Sequence, residues 1–481
     1  MPMHGCFKQF AWSVHRQRFS AAPKMFFNRP SPYLSMSLTT ASQPARPIKK
    51  ILIIGYVWPE PNSSAAGSRM LQLIYLCLSQ NWQVIFASPA RLSEHRVNLE
   101  ELGVEEKAIA LNCSSFDDYV VQLQPDVVIF DRFFTEEQFG WRVAQNLPQA
   151  LRVLNTEDLH SLRYVRQQLL KSRQKSCATE AEKHQLGPVL DAPQNLFQLM
   201  TKDDMAQREI AAIFRCDISL MISDIEMQLL QQQFSVPAAL LHYCPFLLEQ
   251  QPLVEQHSPA LKDYDQRQDF MTIGNFRHEP NWDAVLWLKH ALWPLIRQQL
   301  PQAQLKIYGA YPPPKATALH NPKQGFHVLG WVDDAHQVMS QARVCLAPLR
   351  FGAGIKGKLI DAMVCGTPSV TTSIGAEAMN GDLAWPGIIS DNTDDFSRAA
   401  VALYTDRDAW HRAQKHGQVI LQQRFDRETF SRSLIDRLQG VFTELEQHRT
   451  QNFVGAMLQH HQHKSTQYMS QWIEAKNKHQ N

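Results

Sequence analysis

Residues 347–379, APLRFGAGIKGKLIDAMVCGTPSVTTSIGAEAM, gather the groups from which an anion site is made. An apolar strand ends at Leu349, a turn carrying Gly352 and Gly354 follows, and a helix opens near Lys356 and Gly357. Glycines let backbone N–H groups come close to an anion, and a helix start adds unpaired N–H donors with a partial positive charge. Arg350, Lys356 and Lys358 bring three formal charges to the same end. Charge-assisted hydrogen bonds contribute roughly 1.5–3 kcal/mol each, against about 0.3–1 kcal/mol for the helix dipole, so side chains and directed N–H bonds dominate. The bland alternative is a solvated basic turn in which Lys358 merely pairs Asp361 three residues on. A second constellation, NTEDLHSLR, sets Glu157, Asp158, His160 and Arg163 at a strand end, where a lone histidine is as readily structural as catalytic.

Short apolar runs alternating with helical patterns must position these groups. KKILIIGYVWPEP (49–61), WQVIFASP (82–89), PDVVIFDRF (125–133) and ALRVLNTED (150–158) read as buried parallel strands. CDISLMISD (216–224) and AALLHYCPF (238–246) complete a first domain over 48–246, after a polar helical stretch at 161–215. Residues 247–268 read as a linker. A second domain, 269–425, repeats the scheme with strands at 270–276, 304–310, 326–332, 343–349 and 368–373, and a terminal helix (426–445) and a polar tail (446–481) follow. The fold class expected is α/β, two facing Rossmann-like domains with parallel sheets and a cleft between them. Ligands bind at the carboxyl ends of such strands, the edge that also carries Gly309 and the run Gly330, Trp331, Val332. Trp331 is equally well read as a core aromatic.

GNFRHEPNWDAVLWL (274–288) together with the Gly-rich turn closely resembles the donor half of family four glycosyltransferases of the GT-B fold. The resemblance is strong over about 265–380, fair through IGYVWPEPNSSAAGSRMLQLI and NTEDLHSLR, and absent from 1–47 and 446–481. It implies retaining transfer of a sugar, of hexosyltransferase type, from a nucleotide diphosphate sugar, with no metal and no further cofactor. Of the family's paired acids, the second falls on Asp361, for the ribose diol. The first falls on Ala353, which leaves sugar contacts to backbone N–H groups of Gly354 and Ile355. Arg277 stands near the family's phosphate-binding arginine, no lysine follows it, and Lys356 is expected to take that role. The loop at Trp331 and Val332 would hold the nucleotide base. Ser63 to Ser68 match the family's Gly-rich acceptor-side loop, where Ala65, Ala66 and Gly67 permit close approach to the phosphates and Arg69 adds charge or is solvated. An acid or histidine near Asp158 and His160 would face the reacting carbon.

Bulk properties narrow the alternatives. A net charge of +2, from 48 basic and 46 acidic residues, gives no support for nucleic acid as a partner. None of the eight cysteines forms a C-x-x-C pair, which suits reduced thiols and a cytoplasmic location. No apolar run reaches the roughly 18–20 residues of a membrane helix. Residues 1–59 hold no acid and eight Lys or Arg, so 1–47 read as a mitochondrial-type targeting segment, a disordered extension, or sequence upstream of a start at Met36. That basic segment also leaves room for peripheral membrane contact. HHQH at 460–463 lacks nearby acids or thiols for a structural zinc site. The acceptor is left as a glycan, lipid or protein. Two other functions compete with transfer: a degenerate GT-B protein that binds nucleotide sugar or a partner without catalysis, and a sugar-nucleotide epimerase or hydrolase.

Overall fold

The computed structural model describes residues 46–249 and 262–478; the basic N-terminal extension and most of the linker lie outside them. The first sheet contains β1 (Lys50–Ile54), β2 (Gln83–Ser88), β3 (Glu105–Ala108), β4 (Val127–Asp131), β5 (Leu151–Glu157), β6 (Ile218–Met221) and β7 (Leu241–Tyr243). Every pairing is parallel, in the order β3-β2-β1-β4-β5-β6-β7. The second sheet, β8 (Gln268–Ile273), β9 (Leu305–Tyr308), β10 (Phe326–Gly330), β11 (Ala342–Ala347), β12 (Ser369–Thr371) and β13 (Gly387–Ile389), is also parallel, in the order β10-β9-β8-β11-β12-β13. Both are doubly wound sheets whose order reverses beside the first strand, and there the crevice for a ligand opens.

The continuous apolar runs have a simple cause. Side chains alternate between faces along a strand, and both faces of these sheets are covered by helices. Leu52 and Ile54 of β1 enter one core layer with Val128 and Phe130 of β4, while Ile51 and Ile53 enter the opposite layer with Val127 and Ile129. The register Leu52↔Val128 and Ile53↔Ile129 stacks like against like.

Three features differ from the sequence reading. The edge strand β3, EEKA, has no apolar run to betray it; edge strands carry charge because one side faces water. The run WDAVLWLKHALWPLIRQQL (282–300), helical in its spacing, is not one regular helix: the chain divides into Glu279–Trp287, a π turn at Leu288–Leu292 and Trp293–Gln299, with Pro294, which has no N–H to donate, just after the π turn. The polar tail is helical, at Leu445–Thr450 and Phe453–Lys478; the side chains of 461–463 lie outside the described residues.

The chain's end also returns to the first domain. Leu434, Leu438, Val441 and Phe442 of the helix Arg427–Thr443 join the core layer of Ile51 and Ile53. Where the chain crosses, Leu248 donates its N–H to Phe425 O and accepts from Arg427 N, both at 2.9 Å. No helix among the described residues is long and apolar enough to cross a membrane.

Candidate active site

A cleft of about 1170 Å³ runs between the facing carboxyl edges of the two sheets. Its N-terminal wall begins with the loop after β1. Ser64 caps the helix Ala65–Ser79 by accepting from Gly67 N at 3.1 Å. A Cβ on Gly67 would strike the backbone of Glu60, so this glycine folds the loop back on its own helix. Ala65 faces Gly357, whose missing Cβ would overlap the Ala65 methyl. Small residues here let two helix N-termini from opposite domains approach each other.

At the ends of β4 and β5 the cleft is lined by Asp131, Arg132, Glu157, Asp158, His160 and Arg163. Arg132 and Glu157 hold left-handed backbone angles, φ +69° and +61°, as does Tyr311 on the opposite wall at +57°. Such non-glycine conformations cost of order 1 kcal/mol or more and cluster at functional sites. Burial raises the Glu157 carboxyl above its usual range, with Arg69 working against it. His160 Nδ1 lies 3.0 Å from Asp158 O, its ring stands edge-on to Phe133 and Phe134, and its backbone N–H donates to Glu209 at 2.9 Å. The imidazole is anchored through Nδ1 and lines the cleft. Asp158 is ion-paired with Arg163, whose own pKa burial lowers to about 10.

The C-terminal wall is the Gly-rich turn after β11. Gly354, at φ +61°, sits where a Cβ would come within 2.7 Å of Asp158 Cβ. Its N–H donates to Glu226 Oε1 at 2.6 Å, and the other Glu226 oxygen accepts from Leu159 N. The N–H expected to serve the donor sugar is therefore taken by a carboxyl of the first domain, and Ala353 packs against that domain's core. Burial pushes Glu226 up to about 7, with the Gly354 N–H opposing. Lys356 donates to Gly354 O at 2.7 Å; burial lowers its pKa, opposed by Glu377 and Glu226. Glu377 takes a two-pronged fork from Arg166, which holds it below the usual range despite burial.

Lys358 does not pair Asp361. Its Nζ donates to Asn281 Oδ1 at 2.8 Å beside Gly274 at the exit of β8, and burial lowers it to about 8. Among the described residues no carboxylate pairs it. Arg277 lies 3.6 Å above the Tyr311 ring, and the Tyr311 hydroxyl donates to Glu60 across the cleft. His278, on the same loop, also lines the cleft. Asp361 meets His336 Nε2 at 3.4 Å, and that contact raises His336.

Of the residues singled out from sequence, Ala65, Ala66, Gly67, Asp158, His160, Arg277, Gly352, Ala353, Gly354, Ile355, Lys356, Lys358 and Asp361 line this cleft. Arg350 does not. It is 2% exposed and forks onto Asp283 at 2.6 and 2.8 Å, with a third bond to Lys183 O, because a carboxylate on the neighbouring helix satisfies it before solvent or ligand can. Arg69 is neither cleft-facing nor solvated. It is 1% exposed, bonded to Asn155, Glu157 and Cys244 O, and it ties the ends of β5 and β7 to the helix Ala65–Ser79. Gly309 lies behind the wall, where only glycine allows β9 to pass the Gly274 carbonyl. Trp331 is not a core residue. It stacks at 3.7 Å on His95 of the first domain, outside the cavity with Val332, and the wall beside it is Tyr311, Asp334, Ala335 and His336. Glu226, Arg132, Asn281 and His278 escaped sequence reading; only His278 and Asn281 fall inside a stretch, GNFRHEPNW, that pointed to the site.

Residues 267–406 match the family model described as Glycosyl transferases group 1. The C-terminal domain is thus a glycosyl transferases group 1 domain. No curated protein matches the sequence. Among solved structures, a sucrose-phosphate synthase from Thermosynechococcus elongatus matches with a TM-score of 0.56 at 15% identity, over 82% of this chain and 100% of that one. Anabaena HepE, solved in complex with UDP and glucose, matches with a TM-score of 0.56 at 13% identity, over 81% and 99%. A glycosyltransferase from Rickettsia africae does so at 0.56 and 9%, over 82% and 98%. At these identities the likeness establishes the fold, which is GT-B.

Proposed function

We propose that this protein is a retaining hexosyltransferase that moves a sugar from a nucleoside diphosphate sugar to a hydroxyl of a glycan, lipid or protein, without a metal ion. The observation that carries the reading is the meeting of two helix N-termini from opposite domains with two cationic side chains, Arg277 and Lys358, that have no carboxylate partner among the described residues. A diphosphate supplies the charge that such a site lacks. Lys358 is better aimed for it than Lys356, whose ammonium is tied to Gly354 O. Asp361 beside His336 suits a ribose diol, and the Tyr311–Ala335 wall suits a base.

In the step envisaged, the anomeric C–O bond to the diphosphate breaks while the acceptor oxygen bonds to the same face of that carbon. The acceptor proton passes to the departing phosphate oxygen. Arg277 and Lys358 stabilise the charge that grows on the leaving group, and His160 faces the reacting carbon. HepE has also been solved in complex with UDP-glucose, which makes that sugar nucleotide the first donor to try. Nucleoside diphosphate release should require an acceptor and resist chelator, and proton NMR should show the donor's anomeric configuration kept in the product. Release without acceptor would make the protein a hydrolase, and binding without any turnover would make it a degenerate binder. His160→Ala should lower turnover while nucleotide affinity holds; unchanged turnover removes His160 from the reaction.

A further inference from the structure

The helix Phe453–Lys478 is built the wrong way round for a surface helix. It lies on the helices Phe133–Asn146 and Asp204–Arg215 of the first domain, yet polar residues make its inward contacts. Gln459 donates to Arg215 O at 3.0 Å, Ser470 accepts from Arg142 at 3.0 Å, and Glu474 accepts from the Ser114 hydroxyl at 2.6 Å. Its large apolar residues face outward: Phe453 is 76% exposed, Tyr468 65%, Trp472 60% and Met469 58%, with Met457 and Val454 also exposed. Phe453, Met457, Lys464, Tyr468, Trp472 and Lys476 recur at spacings of four or seven, which puts them along one stripe. At 26 residues the stripe is about 39 Å long. Apolar patches of this kind mark contact surfaces.

We infer that this stripe docks the protein on an anionic lipid surface. Three observations favour lipid over a protein partner. The stripe lies along one helix, which is a convex cylinder. Its aromatic members are tyrosine and tryptophan, which have an apolar body and a polar edge suited to a headgroup layer. Its charges are lysines, with Lys476 Nζ 5.4 Å from the centre of the Trp472 ring, and the one acid of the helix, Glu474, is turned inward to Ser114. Pairing two copies would oppose these charges: an antiparallel pair centred on position 470 sets lysine against lysine, and a parallel pair does the same. A negative bilayer surface instead attracts both lysines.

The test is co-sedimentation of the full-length protein with vesicles of phosphatidylcholine alone or mixed with phosphatidylglycerol. Binding is expected on the mixed vesicles, weaker on phosphatidylcholine alone, and falling with salt. Lys464→Gln with Lys476→Gln should weaken it roughly 25-fold, about fivefold for each lysine at such a surface. Tyr468→Ser with Trp472→Ser should weaken it at least tenfold. The unfolding midpoint should stay unchanged in both double variants, since all four side chains are exposed. No sedimentation of the wild type, or equal sedimentation of both double variants, overturns the inference; the latter would move binding to another part of the chain. So would light scattering that shows a wild-type dimer reduced to a monomer by Trp472→Ser.

Discussion

Replacing Lys358 by glutamine tests the diphosphate assignment most directly. Glutamine keeps most of the length and a donor for Asn281, and removes the charge. The lost charge-assisted bond is worth about 1.5–3 kcal/mol, so nucleotide-sugar affinity should fall by roughly 10- to 150-fold, at 1.36 kcal/mol per decade. Lys356→Gln, which removes only the bond to Gly354 O, should change affinity far less. The pH dependence sharpens the comparison. Burial puts the free Lys358 at about 8, so wild-type affinity should be flat below that pH and fall about tenfold per unit above it until the bound-state pKa is passed. The same lowered pKa has a stability consequence. Below pH 8 the folded protein carries a buried ammonium that the unfolded chain solvates freely, so this group depresses stability there. The penalty lifts as pH rises from about 8 toward lysine's ordinary value of 10.5, and Lys358→Gln should remove that rise. Titration calorimetry from pH 7 to 9.5 reads affinity, and thermal melts of the free protein read stability. Unchanged affinity in Lys358→Gln, or a wild-type affinity flat to pH 9.5, refutes the assignment.

Other expectations follow from the same geometry. Gly357→Val should wedge the two domains apart at Ala65 and lower turnover by about a hundredfold, as small misplacements at a reacting centre do, with little loss in melting temperature; Ala65→Gly should partly restore Gly357→Ala. Asp283→Ala leaves Arg350 buried without its carboxylate and should cost about 3–5 kcal/mol in chemical denaturation, while nucleotide affinity per folded molecule is unchanged. Glu226, raised to about 7 by burial, favours folding in its neutral form. Its contribution should be greatest at low pH and disappear as pH rises from about 4.5 through 7. Glu226→Gln, which still accepts from Gly354 N, should flatten that part of the stability profile.

What the chain determined alone was local. Ile51 to Ile54, too apolar for one exposed face, could only be a strand covered on both sides, and the repeat of that pattern after residue 269 required a second sheet. A turn with two glycines and two lysines before a helix marked one wall of the site in the same local way. What tertiary structure decided was which charges were already satisfied. Arg350 and Lys358 look alike in sequence, yet one lies beside Asp283 and the other beside the amide of Asn281. Gly354 offers an N–H that Glu226, 128 residues away, accepts. The reason is that a charged or polar group under low dielectric takes the nearest geometric partner, and partners far apart along the chain are brought near only by the packing of sheets and helices. The last helix shows the same division: its sequence fixed a spacing of aromatic residues, and only its contacts with the first domain revealed that they face away from the protein.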